Sequence, residues 1–198
     1  MSLRALLNGK PTLTLPSGWV DISHVADAGI GQPAGVTLEG HHLADERVWE
    51  YGIIDLGPDP RGEHSDSLTR DFCALYWPDA DAVVVAGETK AVFIGASTGQ
   101  MRLEVPLEFT GQSSLEVLEL LPDPESQLLF VVSTRLVVAV SPDLLVKWTW
   151  RPEGILRSAK VDSARSLALE YYDATNPELP AICARLDAQG RAFAMARS

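Results

Sequence analysis

The stretch Ala91–Val105, AVFIGASTGQMRLEV, decides the fold because it recurs as Leu136–Trp150, LVVAVSPDLLVKWTW, 45 residues further along the chain. Each copy contains an apolar strand, a short turn and a second strand in which apolar and polar residues alternate. Side chains along a strand point alternately to its two faces. The residues expected on the buried face are Phe93, Met101, Leu103, Val105, Val138, Val146, Trp148 and Trp150. Those expected on the solvated face are Arg102, Glu104, Lys147 and Thr149.

The repetition extends in both directions from this pair. Leu75–Gly87 is similar to Leu120–Val132, since each has a strand, a Pro-Asp turn and an apolar strand. A third copy is divided between Ala159–Asp173 and Pro180–Ala194, with its last turn at Asp187–Gly190. Residues 72–198 therefore contain three β-repeats of about 40 to 45 residues, and each predicts a four-stranded antiparallel meander.

The turns of the second hairpins carry a resemblance to a known type of repeat. Ser97–Gln100, Ser141–Leu144 and Asp187–Gly190 each follow an apolar strand and precede a strand that bears Leu, Trp or Phe. This arrangement resembles the outer hairpin of blades in quinoprotein-type and related β-propellers, although the Trp-Asp dipeptide of WD-type blades is absent. The resemblance implies an all-β fold of propeller-like repeats, and such repeats serve too many functions to imply one.

Residues 1–71 are expected to form an irregular N-terminal part of a single domain that spans residues 1–198. Strands are predicted at Trp19–Ile22, Gly35–Gly40 and Arg47–Leu56, and an exposed loop at Gly57–Asp66. Three repeats are fewer than an ordinary closed propeller contains. A propeller-like array, complete or incomplete, and a β-sandwich are therefore both open.

The charge of the chain limits the classes of partner. The 27 acidic residues outnumber the 16 basic ones and give a formal net charge of −11. Nucleic acids and anionic membrane surfaces require clustered Lys and Arg, so neither is an expected partner. Val36–Asp81 contributes eleven of the acidic residues against three basic ones. This segment is either a solvated face or a surface for a basic protein.

The compartment is expected to be the cytoplasm. No apolar run approaches the roughly 18 residues that cross a bilayer, and the N-terminus does not have the pattern of a signal peptide. Cys73 and Cys183 are far apart in the sequence and outside any metal-ligand spacing. Both are expected to be reduced, buried thiols.

No motif for catalysis or for a metal or cofactor stands out. Neighbouring strand residues such as His41 and His42 point to opposite faces, which argues against a metal site with Glu39, Asp45 and His64. Gly95–Gly99, GASTG, has the letters of a nucleophile elbow. A strand rather than a helix follows it, so a hairpin turn is predicted. The sequence thus favours a non-catalytic protein without cofactor or metal.

Aromatic residues near turns, together with acidic residues, are the best candidates for an interaction surface. They are Tyr76, Trp77, Tyr171, Tyr172, Asp173, Glu46 and Glu50. The expected function is a protein-interaction domain that binds a basic partner, such as an immunity-like or inhibitory protein. The alternative is a small-molecule or sugar-binding module, or an enzyme, with a propeller-like central pocket. Its candidate acidic residues are Asp81, Glu88, Asp123, Glu125, Asp162 and Glu170.

Overall fold

A computed structural model describes most of the chain as β-strands. The residues it describes are 3–4, 12–25, 35–44, 46–55, 72–87, 89–107, 117–162, 166–173, 175–176 and 178–197. The predicted loop at 57–66 lies outside these ranges, as do Asp45, His64 and Glu88. The chain divides into two compact units, Met1–Glu116 and Val117–Ser198.

The first unit contains two antiparallel sheets. Sheet 1 has the strand order β2-β3-β4-β5, and sheet 2 has the order β1-β6-β7-β8-β9. A short 3-10 turn, Pro78–Ala80, connects the first two strands of the sheet 2 meander. The strands are β1 (Leu3–Arg4), β2 (Thr12–Leu15), β3 (Gly18–Val25), β4 (Gly35–His42), β5 (Arg47–Asp55), β6 (Cys73–Trp77), β7 (Ala82–Ala86), β8 (Lys90–Gly95) and β9 (Met101–Pro106).

The second unit contains two further four-stranded meanders. Sheet 3 has the order β10-β11-β12-β13, and sheet 4 has the order β14-β15-β16-β17. The strands are β10 (Val117–Asp123), β11 (Leu128–Ser133), β12 (Val137–Val140), β13 (Val146–Trp150), β14 (Ile155–Val161), β15 (Leu167–Tyr172), β16 (Ile182–Leu186) and β17 (Ala192–Arg197). The all-β class and the blade-type repeats predicted from the sequence are confirmed, and strands β2 to β5 form a meander of the same kind.

Each unit has a core between its two sheets. In the first unit, Val20, Ile22 and Leu38 of sheet 1 belong to the same buried cluster as Val85 and Ile94 of sheet 2. In the second unit, a second cluster joins sheets 3 and 4. Its buried members are Leu128, Phe130, Val132, Val137, Ala139, Leu156, Leu167, Leu169, Tyr171, Ala184 and Leu186. Burial of apolar area in these layers is the main stabilising contribution.

A tryptophan on the fourth strand of one sheet packs on a turn of the next sheet in both units. Trp49 Nε1 donates a 2.9 Å hydrogen bond to the carbonyl of Ala96, and Trp148 Nε1 donates one of 2.8 Å to that of Ala188. A Cβ added to Gly99 would lie 2.6 Å from the Trp49 ring, and the contact between Gly190 and Trp148 is equally close. The same contact is thus built twice.

A β-bulge in each fourth strand changes the predicted alternation. Phe93 pairs with Leu103 and Ile94 with Met101, so Arg102 is the extra residue, and Lys147 has the same position in β13. Because neighbouring strand residues face opposite ways, Met101 and Leu103 lie on opposite faces, contrary to the prediction. Met101 and Val146 are accordingly 50% and 45% exposed. Arg102, Glu104, Lys147 and Thr149 are exposed, as predicted.

The predicted equivalence of Phe93 and Val138 is wrong by one residue. Val140 pairs with Val146 and Ile94 with Met101, so the turn of sheet 2 is one residue longer than that of sheet 3. The structural counterpart of Phe93 is therefore Ala139. Val138 is also buried, but it lies on the opposite face of its sheet, as a one-residue slip requires.

Other sequence predictions have clear outcomes. Gly95–Gly99 ends β8 and turns directly into β9, so it is a hairpin turn, as predicted. Neither cysteine forms a disulfide, and Cys73 is buried as predicted. The prediction of burial is wrong for Cys183, which is exposed because it lies on the face of sheet 4 opposite the core. Within the described ranges, no helix is long and apolar enough to cross a membrane.

Candidate functional site

The face of sheet 1 opposite its core carries a row of carboxylates. Strand pairing places Asp21 opposite Glu39 and Glu39 opposite Glu50, so neighbouring strands each contribute one. Their side chains are 27%, 35% and 52% exposed. Trp19, His41 and Arg47 form the adjacent row. The term acidic face is used below for Trp19, Asp21, Glu39, His41, Arg47 and Glu50.

Contacts within the acidic face hold the like charges close together. Arg47 lies 3.4 Å from a Glu39 oxygen and 3.2 Å from a Glu50 oxygen. His41 Nε2 lies 3.3 Å from an Asp21 oxygen, and its ring stacks on Trp19 with centroids 4.9 Å apart. Three carboxylates against one guanidinium leave a negative excess when His41 is neutral. Adjacent like charges are unfavourable in a sheet, and here their repulsion is offset in part by Arg47 and by the 2.8 Å hydrogen bond that Thr12 Oγ1 donates to Asp21.

The face of sheet 4 opposite its core forms an open trough of about 760 Å³. Ser158, Ala168 and Cys183 give it a floor of small side chains, while Lys160 and Arg185 supply positive charge. Ser158 Oγ donates a 3.2 Å hydrogen bond to Glu170, and Arg185 lies 3.5 Å from Asp162. The term trough is used below for Ser158, Lys160, Ala168, Glu170, Cys183, Arg185 and Phe193.

The two polar faces occupy positions that are apolar in the neighbouring sheets. Asp21 pairs with Glu39 and Trp19 with His41 where sheet 2 pairs Val85 with Val92 and Val83 with Ile94. Ala168 pairs with Arg185 and Glu170 with Cys183 where sheet 1 pairs Val20 with Gly40 and Ile22 with Leu38. The apolar pairs belong to the core of the first unit apart from Gly40. The acidic face and the trough are thus polar versions of blade faces that pack on other blades.

Two of the sequence-predicted surface residues are buried instead. Trp77 and Tyr171 are each 1% exposed. Trp77 packs edge to face on Phe93, with ring centroids 6.4 Å apart, and Tyr171 contacts Trp150 in the same way at 5.9 Å. Burial in the core, and the Glu153 carboxylate to a lesser degree, raise the pKa of Tyr171. Neither ring is available to a partner in this fold.

The other turn-proximal residues lie at opposite ends of the strands in their meanders. Tyr76 lies in β6, next to the 3-10 turn that connects β6 to β7 in sheet 2. Partial burial and then Asp81 raise its pKa, and its hydroxyl lies 3.5 Å from an Asp81 oxygen. Tyr172 and Asp173 instead lie at the start of the loop between β15 and β16, the second and third strands of sheet 4. Loops in that position are at the other end of the strands in a meander. Hydrogen bonds from Thr175 lower the pKa of Asp173.

The remaining two predicted residues are exposed, and one belongs to the acidic face. Glu50 lies in the carboxylate row, whereas Glu46 lies beside the turn between β4 and β5, where its carbonyl accepts a hydrogen bond from the His42 amide. Sequence reasoning missed Asp21, Glu39 and Trp19 as members of this surface. Only the cross-strand register brings them together, and the alternation of apolar and polar residues in Trp19–Ile22 was the one signal in the sequence.

The acidic residues considered for a central pocket do not converge in the described part of the chain. Asp123 is 5% exposed and caps its own turn through Glu125 N–H and Ser126 Oγ. Asp81 accepts a 3.0 Å hydrogen bond from Ser97 within sheet 2. Glu170 lies in the trough, whose described lining residues all belong to sheet 4. Among the described residues, no three His, Cys, Asp or Glu side chains are grouped as metal ligands.

Repeated four-stranded antiparallel meanders with an equivalent bulge and turn define this chain as a protein built of β-propeller-type blades. No family model matches the sequence, and no curated protein matches it. The structure is similar to the crystal structure of BamB from Moraxella catarrhalis, with a TM-score of 0.52 and 15% sequence identity. The match covers 100% of this chain and 50% of that one, so the chain spans about half its length. The similarity is one of fold.

Proposed function

We propose that this chain is a non-catalytic protein-interaction domain whose acidic face binds a basic partner protein. The observation that carries the proposal is the row Asp21, Glu39 and Glu50, in which Glu50 is exposed and the other two are partly exposed, with one guanidinium among three carboxylates. Complementary charge speeds association and excludes partners of the same sign. The stacked rings of Trp19 and His41 add a flat apolar surface beside the carboxylates, which is the composition of an interaction hot spot.

In its most specific form, the proposal is an immunity-like or inhibitory protein that covers the functional surface of a basic target. We place this interaction in the cytoplasm, because Cys73 and Cys183 do not form a disulfide and disulfides are rare in reducing compartments. A binding module for a small molecule is the weaker candidate. The trough is roomy enough for one, but a single sheet lines it.

Reversing charge on the acidic face should remove partner binding. We expect the Glu39→Lys/Glu50→Lys variant to lose at least about tenfold in affinity, since two attractive contacts become repulsive. The chain is immobilised at low ionic strength in native lysate, and proteins that elute with salt are identified by mass spectrometry.

The control for this experiment is Asp143→Lys/Glu178→Lys, which makes the same change in net charge at exposed positions in the second unit. It should retain the same basic proteins as the wild type. If no basic protein elutes with salt, or if both double variants behave alike, the acidic face is not the binding surface.

A further inference from the structure

We propose that the acidic face of one copy docks on the trough of a second copy of this chain. The inference rests on the proposed function, because it uses the acidic face as the binding surface, and it adds the identity of a partner. The acidic face of each copy is then covered by the trough of another copy. This contact explains why two blade faces in the same chain have polar side chains.

Register is the first argument for this contact. The face of sheet 4 that forms the trough is equivalent to the faces of sheets 1 and 3 that pack on the following sheet through Trp49 and Trp148. The acidic face is equivalent to the faces of sheets 2 and 4 that receive the preceding sheet. A trough placed on an acidic face therefore repeats the packing already built inside each unit.

Charge is the second argument. The acidic face has carboxylates from Asp21, Glu39 and Glu50 against the single guanidinium of Arg47. In the trough, Lys160 and Arg185 are balanced by Glu170 and the adjacent Asp162, but the Arg185 side chain remains 52% exposed although it lies 3.5 Å from Asp162, so its guanidinium can still contact a carboxylate of a second copy. The Lys160 side chain is exposed. Opposed surfaces of this kind attract each other and set the orientation of docking.

Shape is the third argument. The Trp19 and His41 rings stack with an interplanar angle of 8° on the acidic face. The trough has the small side chains Ala168 and Cys183 on its floor, which leave space for such rings. Phe193, the bulge residue of β17, is 58% exposed at the trough. An exposed aromatic beside a hollow of small residues is suited to a sheet-to-sheet contact.

The contact joins two different surfaces, so it is heterologous, and every copy carries both of them. This property gives a sharp test. Lys160→Glu should damage the trough and Glu39→Lys the acidic face, and each variant alone should self-associate at least about tenfold more weakly than the wild type. An equimolar mixture of the two should recover association, because the intact acidic face of the Lys160→Glu variant can dock on the intact trough of the Glu39→Lys variant. Lys147→Glu, at an exposed position of sheet 3, is the control and should change nothing.

Sedimentation velocity of the purified chain over a range of concentrations measures association, and circular dichroism verifies that each variant is folded. Alkylation of Cys183, which is exposed in the trough, provides a readout that needs no variant: its rate should fall as the protein concentration rises. A chain that is monomeric throughout, or a mixture that does not recover, overturns the proposal. In that case, a basic protein captured by the wild type and lost from Glu39→Lys/Glu50→Lys would still support the proposed function.

Discussion

Replacing Trp148 with alanine should lower the free energy of unfolding by about 3 to 5 kcal/mol, the range of tryptophan and phenylalanine truncations in protein cores. Trp148 is partly buried and packs against the core of the second unit. The Trp148 ring lies 5.7 Å from Phe130 between centroids and packs on Gly190. Its Nε1 also donates the 2.8 Å hydrogen bond to Ala188 that fixes the turn of sheet 4. The truncation removes these contacts together and leaves a cavity between sheets 3 and 4. Urea unfolding followed by circular dichroism measures the loss.

The matched control is the neighbouring residue. Lys147 is the exposed bulge residue of β13 and contributes to neither core face. Lys147→Ala should therefore change the free energy of unfolding by less than about 0.5 kcal/mol. Equal losses for the two variants, or a larger loss at Lys147, would show that the strand register is wrong.

Replacing Gly99 with alanine should destabilise the chain by about 2 to 3 kcal/mol. Gly99 has a φ of +66°, where an L-residue with a Cβ is strained by roughly 1 to 2 kcal/mol. The new Cβ would also lie 2.6 Å from the Trp49 ring, which would have to move away from its hydrogen bond to Ala96. Thermal and urea unfolding give the change in stability.

Gly52 provides a comparison of the same substitution without either effect. It lies in β5, and a Cβ there would meet no atom within 4 Å. Because glycine weakens a strand relative to alanine, Gly52→Ala should be neutral or stabilise by up to about 1 kcal/mol. A loss of stability at Gly52 as large as that at Gly99 would contradict the proposed role of the turn.

The repeats were predictable because their strands and turns leave a strong local pattern. Apolar runs, Pro-Asp turns and the Trp-bearing strands gave the all-β class and the meanders of the last three sheets. The faces of the inner strands were not predictable in the same way. Val137–Val140 is apolar at every position, so its sequence carries no alternation, and a turn shorter by one residue shifted Val138 to the other face.

The candidate site was harder to predict than the fold. A carboxylate row across three strands depends on which residues are paired, and Asp21 is 18 residues from Glu39 in the sequence. Turn-proximal aromatics looked exposed because turns are at the surface, yet Trp77 and Tyr171 are directed into the interior. Their neighbours Tyr76 and Tyr172 are partly buried. Strand alternation separates each pair, and the sequence alone did not say which member was buried.

The sheets are equivalent blades, and the fourth-strand tryptophans of sheets 1 and 3 pack on the glycine turns of sheets 2 and 4. A double-mutant cycle with Trp148→Leu and Gly190→Ala measures that contact most directly. Gly190 has a φ of +76° and would place its Cβ 2.6 Å from the Trp148 ring. In the Trp148→Leu background the smaller side chain leaves room for this methyl group. The account predicts that the double variant is at least about 1 kcal/mol more stable than the sum of the single losses indicates. Additive losses, within about 0.5 kcal/mol, would contradict it.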